Sequence, residues 1–191
     1  MARILAFAAS TRRESFNRRL IRVAAQGARD AGADVTLLEL IEFPVPIFSA
    51  DDEKEHGLPE PVRKLAEVFK AHDGFLISSP EYNTGFPGLL KNMLDWLTRP
   101  GVGGPAFSLF ANKPAAIMAA SPGRFGGVRM LPLLCQYLSH LQMLVIPQMY
   151  GLALAEEALN EDGSLKDAKA AATVQGLGEK VAKLAARLGA T

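Results

Sequence analysis

The fold is decided by one stretch, Ser79-Pro-Glu-Tyr-Asn-Thr-Gly-Phe-Pro-Gly-Leu-Leu-Lys-Asn-Met-Leu-Asp-Trp96, which joins a strand to a helix through a polar loop. The apolar run over residues 74–78 predicts a buried strand, and Pro80 ends it because proline cannot donate the next ladder hydrogen bond. Pro87 suits a first helical position, and apolar residues recur behind it at helical spacing. Residues 81–85 form the loop, and in an open α/β sheet such loops lie at the carboxyl edge, where ligands bind. Taken alone, the loop is also compatible with an ordinary connection, since few such connections bind anything.

Length and composition predict a globular protein with one domain over residues 1–191. Hydrophobic residues make up 49% of the chain and charged residues 21%, which is ordinary for such a domain. Because the net charge is +1 and no basic face stands out, we expect no nucleic-acid partner. No apolar stretch approaches the roughly 20 residues of a membrane span, so we expect a soluble, cytoplasmic protein without a membrane partner. The single cysteine, Cys135, excludes an internal disulfide, fits a reducing compartment and is interpreted as a small core residue.

The histidines of the chain are isolated from one another in the sequence: they are His56, His72 and His140. None has another histidine or cysteine nearby, so we predict no metal site and expect all three to be solvated. No Ser-His-Asp set and no pair of carboxylates stands out either, so we assign no catalytic acid or base.

Apolar runs alternate with helical patterns along the chain. The predicted strands cover residues 4–9, 35–40, 74–79, 114–120 and 143–146. Helical patterns lie between and after them, and the last has apolar residues from Leu177 to Leu188 on one side. This alternation predicts an α/β fold of three layers, in which helices cover both faces of a five-stranded parallel sheet. Five strands with five helices match the flavodoxin-like strand order 2-1-3-4-5.

The segment 43–61 interrupts this alternation. It contains four prolines and an acidic cluster at residues 51–53, and we predict it to be irregular. Long loops in compact domains are often functional, so this one is interpreted either as a lid or binding wall or as a surface that packs on a second subunit.

Three unusual loops follow the first, third and fourth strands, which are neighbours in this order, so the loops converge on one crevice. The first loop, residues 10–17, offers hydroxyl, guanidinium and amide groups just before a helix. These groups belong to Ser10, Arg12, Ser15 and Asn17. Together with the N–H groups of the helix N-terminus they suit a phosphate. The alternative is a simple capped helix in which Ser15 or Asn17 is the cap.

The other two loops suit a flat ligand. The second loop, residues 81–85, places the ring of Tyr82 between a carboxylate and an amide. The third loop, residues 121–127, contains glycines, which allow close approach of the backbone because they lack a Cβ atom. These glycines are Gly123, Gly126 and Gly127. A planar heterocycle could therefore lie against one loop, with its polar edge on backbone N–H groups and side-chain amides of the others.

With these motifs the sequence resembles the NADPH-dependent FMN reductase family, which includes quinone, chromate and azo-dye reductases. The family's phosphate loop, G-S-x-R-x-x-S-x-N, is matched by residues 9–17, except that Ala9 replaces the glycine and alters only the tightness of the first turn. The family's flavin loop and helix, P-E-Y-N-x-x-x-P-G-x-L-K-N-x-x-D-W, is matched at every specified position from Pro80 to Trp96. The third loop, S-P-G-x-x-G-G, is matched by residues 121–127. The resemblance covers nearly the whole chain.

The resemblance implies an FMN cofactor, with NADPH or NADH as co-substrate. The FMN phosphate would lie on first-loop residues, namely Ser10, Arg12, Ser15 and Asn17. The isoalloxazine ring would lie along Pro80, Glu81, Tyr82 and Asn83, with Ser121 and Gly123 near its other side. Family members are usually homodimers or homotetramers with the flavin close to a subunit interface. The segments 43–61 and 99–105 would then be candidate walls of the site.

The implied reaction is a ping-pong hydride transfer from NAD(P)H to FMN and on to a small-molecule electron acceptor, such as a quinone, an azo dye, chromate or free flavin. Loop N–H groups would stabilise the reduced cofactor, and Glu81 is expected to fix its loop rather than to act as a general base. Candidates for a contact with the 2′-phosphate of NADPH are Arg13, Arg99 and Arg124. The alternative is a flavodoxin-type electron carrier, or a redox-sensing FMN-binding module, that turns over no nicotinamide. The near-neutral charge and the lack of a T/S-x-T-G-x-T loop favour the reductase.

Overall fold

A computed structural model describes residues 1–189, so the last two residues of the predicted domain 1–191 lie outside the described residues. Parallel strands form a central sheet: β1 (Arg3–Ala8), β2 (Asp34–Leu38), β3 (Gly74–Ser78), β4 (Pro114–Ala120), β5 (Leu144–Val145) and β6 (Tyr150–Leu152). They lie in the order β2-β1-β3-β4-β5, and β6 also pairs with β4. The predicted α/β fold and strand order are therefore confirmed.

Helices cover both faces of this sheet. They are α1 (Phe16–Asp30), α2 (Ala50–His56), α3 (Glu60–Lys70), α4 (Gly88–Leu97), α5 (Leu131–His140), α6 (Ala155–Ala158) and α7 (Ala168–Leu188), with a short 3-10 helix at Leu40–Glu42. One face of the sheet packs against α3, α4 and α5, and the other packs against α1 and α7. We call the apolar cluster on the first of these faces the first core and that on the other face the second core. Residues of each strand contribute alternately to the two cores, since successive side chains of a strand point in opposite directions. In β1, for example, Phe7 lies in the first core and Ala6 in the second.

The two helices on the second face approach closely at two glycines. A Cβ atom on Gly27 of α1 would lie 2.0 Å from the carbonyl oxygen of Gln175, and one on Gly178 of α7 would lie 1.9 Å from that of Ala24. Both positions therefore require glycine because of packing against backbone, which cannot move aside as a side chain can. This packing fixes α1 against α7, and α1 begins at the first loop.

The edge strand beside β4 is interrupted, whereas the sequence predicted one strand over residues 143–146. β5 pairs with the first two residues of β4, and β6 pairs with the last three. Between these pairings β4 has two residues and the edge strand has four, residues 146–149. Pro147 lies in this bulge, where its missing N–H breaks the ladder. β6 restores the pairing beside the third loop.

The segment 43–61 is more regular than predicted. It contains α2, whose first turn is capped by Ser49, with the Oγ atom accepting from the N–H of Asp52 at 3.2 Å. The acidic cluster at residues 51–53 lies in this first turn, where the helix dipole favours negative charge. The prediction of an irregular loop is therefore wrong for residues 50–56.

The prediction that all three histidines are solvated is wrong for His72, which is 8% exposed. Its Nδ1 atom lies 2.6 Å from the carbonyl oxygen of Val68, and its Nε2 atom lies 2.9 Å from the hydroxyl of Thr36. The ring thus ties the end of α3 to β2, while His56 and His140 are exposed.

Three global features bear on function. Within residues 1–189, no three His, Cys, Asp or Glu side chains gather closely enough to hold a metal ion. No helix of this described part has the length and apolar character needed to cross a membrane. Cys135 is a free thiol that is half-buried against the first core.

Candidate functional site

A cleft of about 120 Å³ opens at the carboxyl ends of β1, β3 and β4, where the three loops meet. Eight of the ten residues predicted to bind the cofactor line it: Ser10, Arg12, Ser15, Asn17, Pro80, Glu81, Tyr82 and Ser121. The remaining two, Asn83 and Gly123, belong to the second and third loops but do not line this cavity. An adjoining cavity of about 320 Å³ shares Arg12 and Tyr82 and extends to the start of α4.

The first loop presents polar groups that the protein itself does not use. Ser15 occupies the N-cap position of α1 and is 5% exposed, but its hydroxyl makes no capping hydrogen bond. The Arg12 guanidinium has no carboxylate partner among residues 1–189 and lies 5.9 Å from the centroid of the Phe16 ring. The Arg12 N–H donates to the hydroxyl of Ser10 at 3.4 Å, which curls the loop toward the helix. With the N–H groups of the first turn of α1, these groups suit a phosphate.

Asn17 has a structural role that the sequence did not reveal. It is 3% exposed, and its Oδ1 atom accepts from the N–H of Ala120 at 2.9 Å and from the hydroxyl of Ser78 at 2.8 Å. Its Nδ2 atom donates to the carbonyl oxygen of Ala120 at 3.0 Å. One side chain therefore joins α1 to the ends of β3 and β4, and the suggestion that it caps α1 is wrong. The amide has a second N–H, which meets no protein acceptor within residues 1–189.

The second loop is a tight hairpin. The N–H groups of Tyr82 and Gly85 donate to each other's carbonyl oxygens at 2.9 and 3.0 Å. The two residues between them, Asn83 and Thr84, have φ angles of 51° and 68°, as in a type I′ turn. Thr84 is strained because a β-branched residue disfavours positive φ, and strain of this kind clusters at binding sites. The Tyr82 side chain is 60% exposed and can meet a planar ligand.

The carboxylate of Glu81 is held by its neighbours. Its side chain is 6% exposed and forms an ion pair with Arg129. It also accepts from the backbone N–H of Met130 at 3.3 Å. A carboxylate held in this way is poorly placed to serve as a general base, which agrees with the expectation that it fixes its loop.

The glycines of the third loop serve the protein's own packing. Gly126 and Gly127 have φ angles of 58° and 83°, and a Cβ atom on Gly126 would lie 2.6 Å from the backbone nitrogen of Ala153. The interpretation that these two admit a ligand is therefore corrected, because they let the loop turn beside β6. Gly123 differs, since its N–H donates to the hydroxyl of Ser121 at 3.1 Å and shapes the rim of the cleft.

The helix α4 starts one residue later than the sequence predicts, since Pro87 lies immediately before the helix and not within it.

Behind the second loop, α4 holds a neighbouring segment in place. The side-chain amide of Asn92 and the indole N–H of Trp96 both donate to the carbonyl oxygen of Pro46 at 2.8 Å. These two side chains hold Pro46, and with it the segment 43–49, against α4. Asn92 and Trp96 therefore have a structural role within the motif of residues 80–96.

Asp95 joins α4 to α5. Its carboxylate accepts from the hydroxyl of Tyr137 at 2.8 Å and from Lys91 Nζ at 2.6 and 2.8 Å. Burial, and then the hydrogen bond to Asp95, raises the pKa of Tyr137, so the phenol stays protonated and keeps donating. α5 begins at Leu131, because turns occupy residues 124–130.

The fold and the cleft together define a flavodoxin-like α/β protein whose site suits a phosphorylated ligand with a planar ring. The donors of the first loop suit the phosphate of such a ligand, and the exposed ring of the second loop can meet its planar part. Residues 2–157 match the NADPH-dependent FMN reductase family, and the chain belongs to that family. The resemblance inferred from the motifs is thus confirmed.

Relatives carry related names. A quinone reductase of Escherichia coli (strain K12) is 39% identical over 137 residues, which is 72% of this chain but 65% of the relative, just under two thirds of its length. An NAD(P)H-dependent FMN reductase of Pseudomonas aeruginosa is 33% identical over 175 residues, which cover 91% of this chain and 89% of the relative. Among solved structures, the flavoenzyme NAD(P)H:(acceptor) oxidoreductase FerB of Paracoccus denitrificans matches with a TM-score of 0.79 and 28% identity, and covers 98% of both chains.

Proposed function

We propose that this protein is an FMN-dependent NAD(P)H oxidoreductase, built as one flavodoxin-like domain, that reduces a small-molecule acceptor of the quinone class. The observation that carries the proposal is the set of unused donors at the start of α1. Ser15 is 5% exposed and its hydroxyl caps nothing, and the guanidinium of Arg12 has no carboxylate partner within residues 1–189. Family membership and the names of the relatives support the same conclusion.

The roles of the loops follow from their chemistry. The first loop would hold the phosphate through Ser10, Arg12, Ser15 and the second N–H of Asn17. The second and third loops would flank the ring through Pro80, Glu81, Tyr82, Asn83, Ser121 and Gly123. Bound FMN supplies the hydride-accepting and hydride-donating chemistry, so no protein side chain is needed as a catalytic acid or base. The N–H groups of residues 83 and 84 meet no protein acceptor among residues 1–189 and are available to the polar edge of the ring.

The reaction would follow a ping-pong order, in which NAD(P)H and the acceptor bind in turn over the same open cleft. A quinone, an azo dye, chromate or free flavin could each be the acceptor, because an open cleft discriminates little between acceptors of different shape. Arg99 pairs with Glu53, with Nη2 and Oε2 2.8 Å apart, and so is not available for the 2′-phosphate of NADPH. Arg13 and Arg124 remain as the candidates for that contact.

We also propose a homodimer or homotetramer in the cytoplasm. Large apolar side chains near the cleft are exposed, including Tyr82 at 60% and Phe125 at 63%. Clusters of such side chains are typical of surfaces that pack on another subunit. A single free cysteine is compatible with a reducing compartment. Light scattering of the purified protein would measure the assembly directly.

The purified protein should show the absorption spectrum of bound flavin and should oxidise NAD(P)H with a quinone and no partner protein. The double variant Arg12→Ala/Ser15→Ala should lose flavin on gel filtration, because it removes both unused donors. Arg22→Ala is the matched control, since it removes a positive charge from α1 outside the cleft, and it should retain flavin. A double variant that stays fully yellow would refute the phosphate assignment. Bound flavin without turnover would indicate an electron carrier or a redox sensor.

A further inference from the structure

One side chain, Arg129, contacts both loops that flank the proposed ring site. Its Nε atom donates to Oε1 of Glu81 at 2.8 Å, and its Nη2 atom bonds to the same oxygen. Its guanidinium also lies 4.9 Å from the centroid of the Phe125 ring, within the range of a cation–π contact. Glu81 belongs to the second loop and Phe125 to the third. Arg129 is therefore a direct link between them.

The Glu81 carboxylate, which accepts from Arg129, is buried, and both of its oxygens accept hydrogen bonds. The Glu81 side chain is 6% exposed, while Arg129 is 53% exposed. The second oxygen of Glu81 accepts from the N–H of Met130, which is the N-cap residue of α5 and has no side-chain cap of its own. That N–H also donates to the carbonyl oxygen of Gly127 at 3.3 Å, so Glu81 shares it, and its negative charge lies at the N-terminus of α5, where the helix dipole favours it. Without Arg129, a buried carboxylate would keep only one bond of 3.3 Å.

The position of Glu81 controls the hairpin that comes directly after it in the chain. The hairpin begins at the next residue, Tyr82, and its turn contains the strained Thr84. A strained turn keeps its shape only where its surroundings fix it. Within residues 1–189, Glu81 makes the only side-chain hydrogen bonds and ion pair that join the second loop, residues 81–85, to another part of the chain. Its position therefore bears on where the free N–H groups of the turn point.

We propose that Arg129 is a positioning residue: through Glu81 and Phe125 it sets the separation of the second and third loops and so the affinity for FMN. The proposal rests on the proposed function, since it assumes that these loops hold the ring of FMN. It assigns Arg129 no contact with the cofactor and no proton transfer. The effect of its loss should therefore appear first in the ligand-free protein, as greater mobility of the second loop.

The test compares Arg129→Met, which keeps an apolar stem over Phe125 but cannot pair with Glu81, with Arg129→Lys, which keeps one charge-assisted bond. Arg22→Ala is the matched control, because it removes a positive charge outside the cleft from a residue with no proposed role in binding. Amide hydrogen exchange of residues 80–86 is measured in the ligand-free proteins. The dissociation constant for FMN is then measured by flavin fluorescence on the apoproteins.

We expect Arg129→Met to accelerate exchange in residues 80–86 and to raise the dissociation constant for FMN by about 10-fold or more, as losses of supporting contacts around a bound group do. Arg129→Lys should recover part of both effects, and Arg22→Ala should stay within about twofold of the wild type. Unchanged exchange and affinity in Arg129→Met would overturn the proposal. Equal losses in Arg22→Ala would overturn it as well, since charge alone would then explain them.

The experiment separates this inference from the proposed function. A wild-type protein that binds no FMN would refute the proposed function, and the exchange comparison would still decide whether Arg129 anchors the second loop. A wild type that binds FMN together with an unaffected Arg129→Met variant would refute only the role of Arg129. If Arg129→Met proves too unstable to purify, the graded effect expected of Arg129→Lys decides the question.

Discussion

Replacing Asn17 by alanine should destabilise the ligand-free protein strongly. The substitution removes three hydrogen bonds, with distances of 2.8, 2.9 and 3.0 Å, from a side chain that is 3% exposed. It also leaves the backbone of Ala120 and the hydroxyl of Ser78 without these partners at the ends of two central strands. At about 1 kcal/mol for each hydrogen bond, the free energy of unfolding should fall by about 3 kcal/mol. Water that enters from the cleft can offset part of this loss.

The assay is equilibrium unfolding in denaturant, carried out on protein stripped of any cofactor so that ligand binding does not contribute. Ser15→Ala is the matched control, because it changes a neighbouring polar residue of the same cleft. A cap substitution usually costs about 1 kcal/mol, but Ser15 makes no capping bond, so we expect a loss of less than about 0.5 kcal/mol. An Asn17→Ala protein within about 1 kcal/mol of the wild type would refute the assigned structural role.

Three further substitutions test the packing, the strain and the electrostatics. Gly178→Ala should lower the free energy of unfolding by at least about 1–3 kcal/mol, measured in denaturant, because its Cβ atom would lie 1.9 Å from the carbonyl oxygen of Ala24; an unchanged midpoint would contradict the close packing. Thr84→Gly should stabilise the ligand-free protein by about 1 kcal/mol in the same assay, since it relieves a φ of 68°, and a loss of stability would argue against strain. Burial lowers the pKa of Lys113 to about 8 from its usual 10.5, so between these values the unfolded chain binds more protons and stability rises with pH. Wild type should therefore gain stability relative to Lys113→Met as the pH rises through this range, and parallel curves would refute the shift.

The sequence predicted the centre of the fold nearly to the residue, because prolines fix the boundaries there. Pro80 ends β3 and Pro87 precedes α4, so the stretch between them could only be a connection. The convergence of the three loops followed from strand order alone, which the structure confirms. Predictions of this kind succeed since they depend on local backbone limits and on a small set of allowed topologies.

The features that the sequence did not predict depend on partners that are distant along the chain. The carbonyl oxygen that Asn17 binds lies 103 residues away, and the hydroxyl beside His72 lies 36 residues before it. No local pattern marks such pairs, so the sequence predicts a ligand contact or a helix cap for Asn17 and a solvated ring for His72. α2 is a different case, because Ser49 followed by acidic residues is a capping pattern that could have identified the helix.

The polar side chains of the cleft fall into two groups: those that bind other parts of the protein and those that a ligand would contact. Asn17 and Glu81 are buried and bound to other elements, and they fix where the loops begin. Ser15, Arg12 and Tyr82 have unused groups or exposed rings, and they are what a ligand would meet. A binding site needs residues of both groups. Hydrogen-bond donors bind a ligand tightly only when other contacts fix their positions before the ligand binds. Single substitutions should therefore separate the groups: loss of stability without ligand marks the first, and loss of affinity at unchanged stability marks the second.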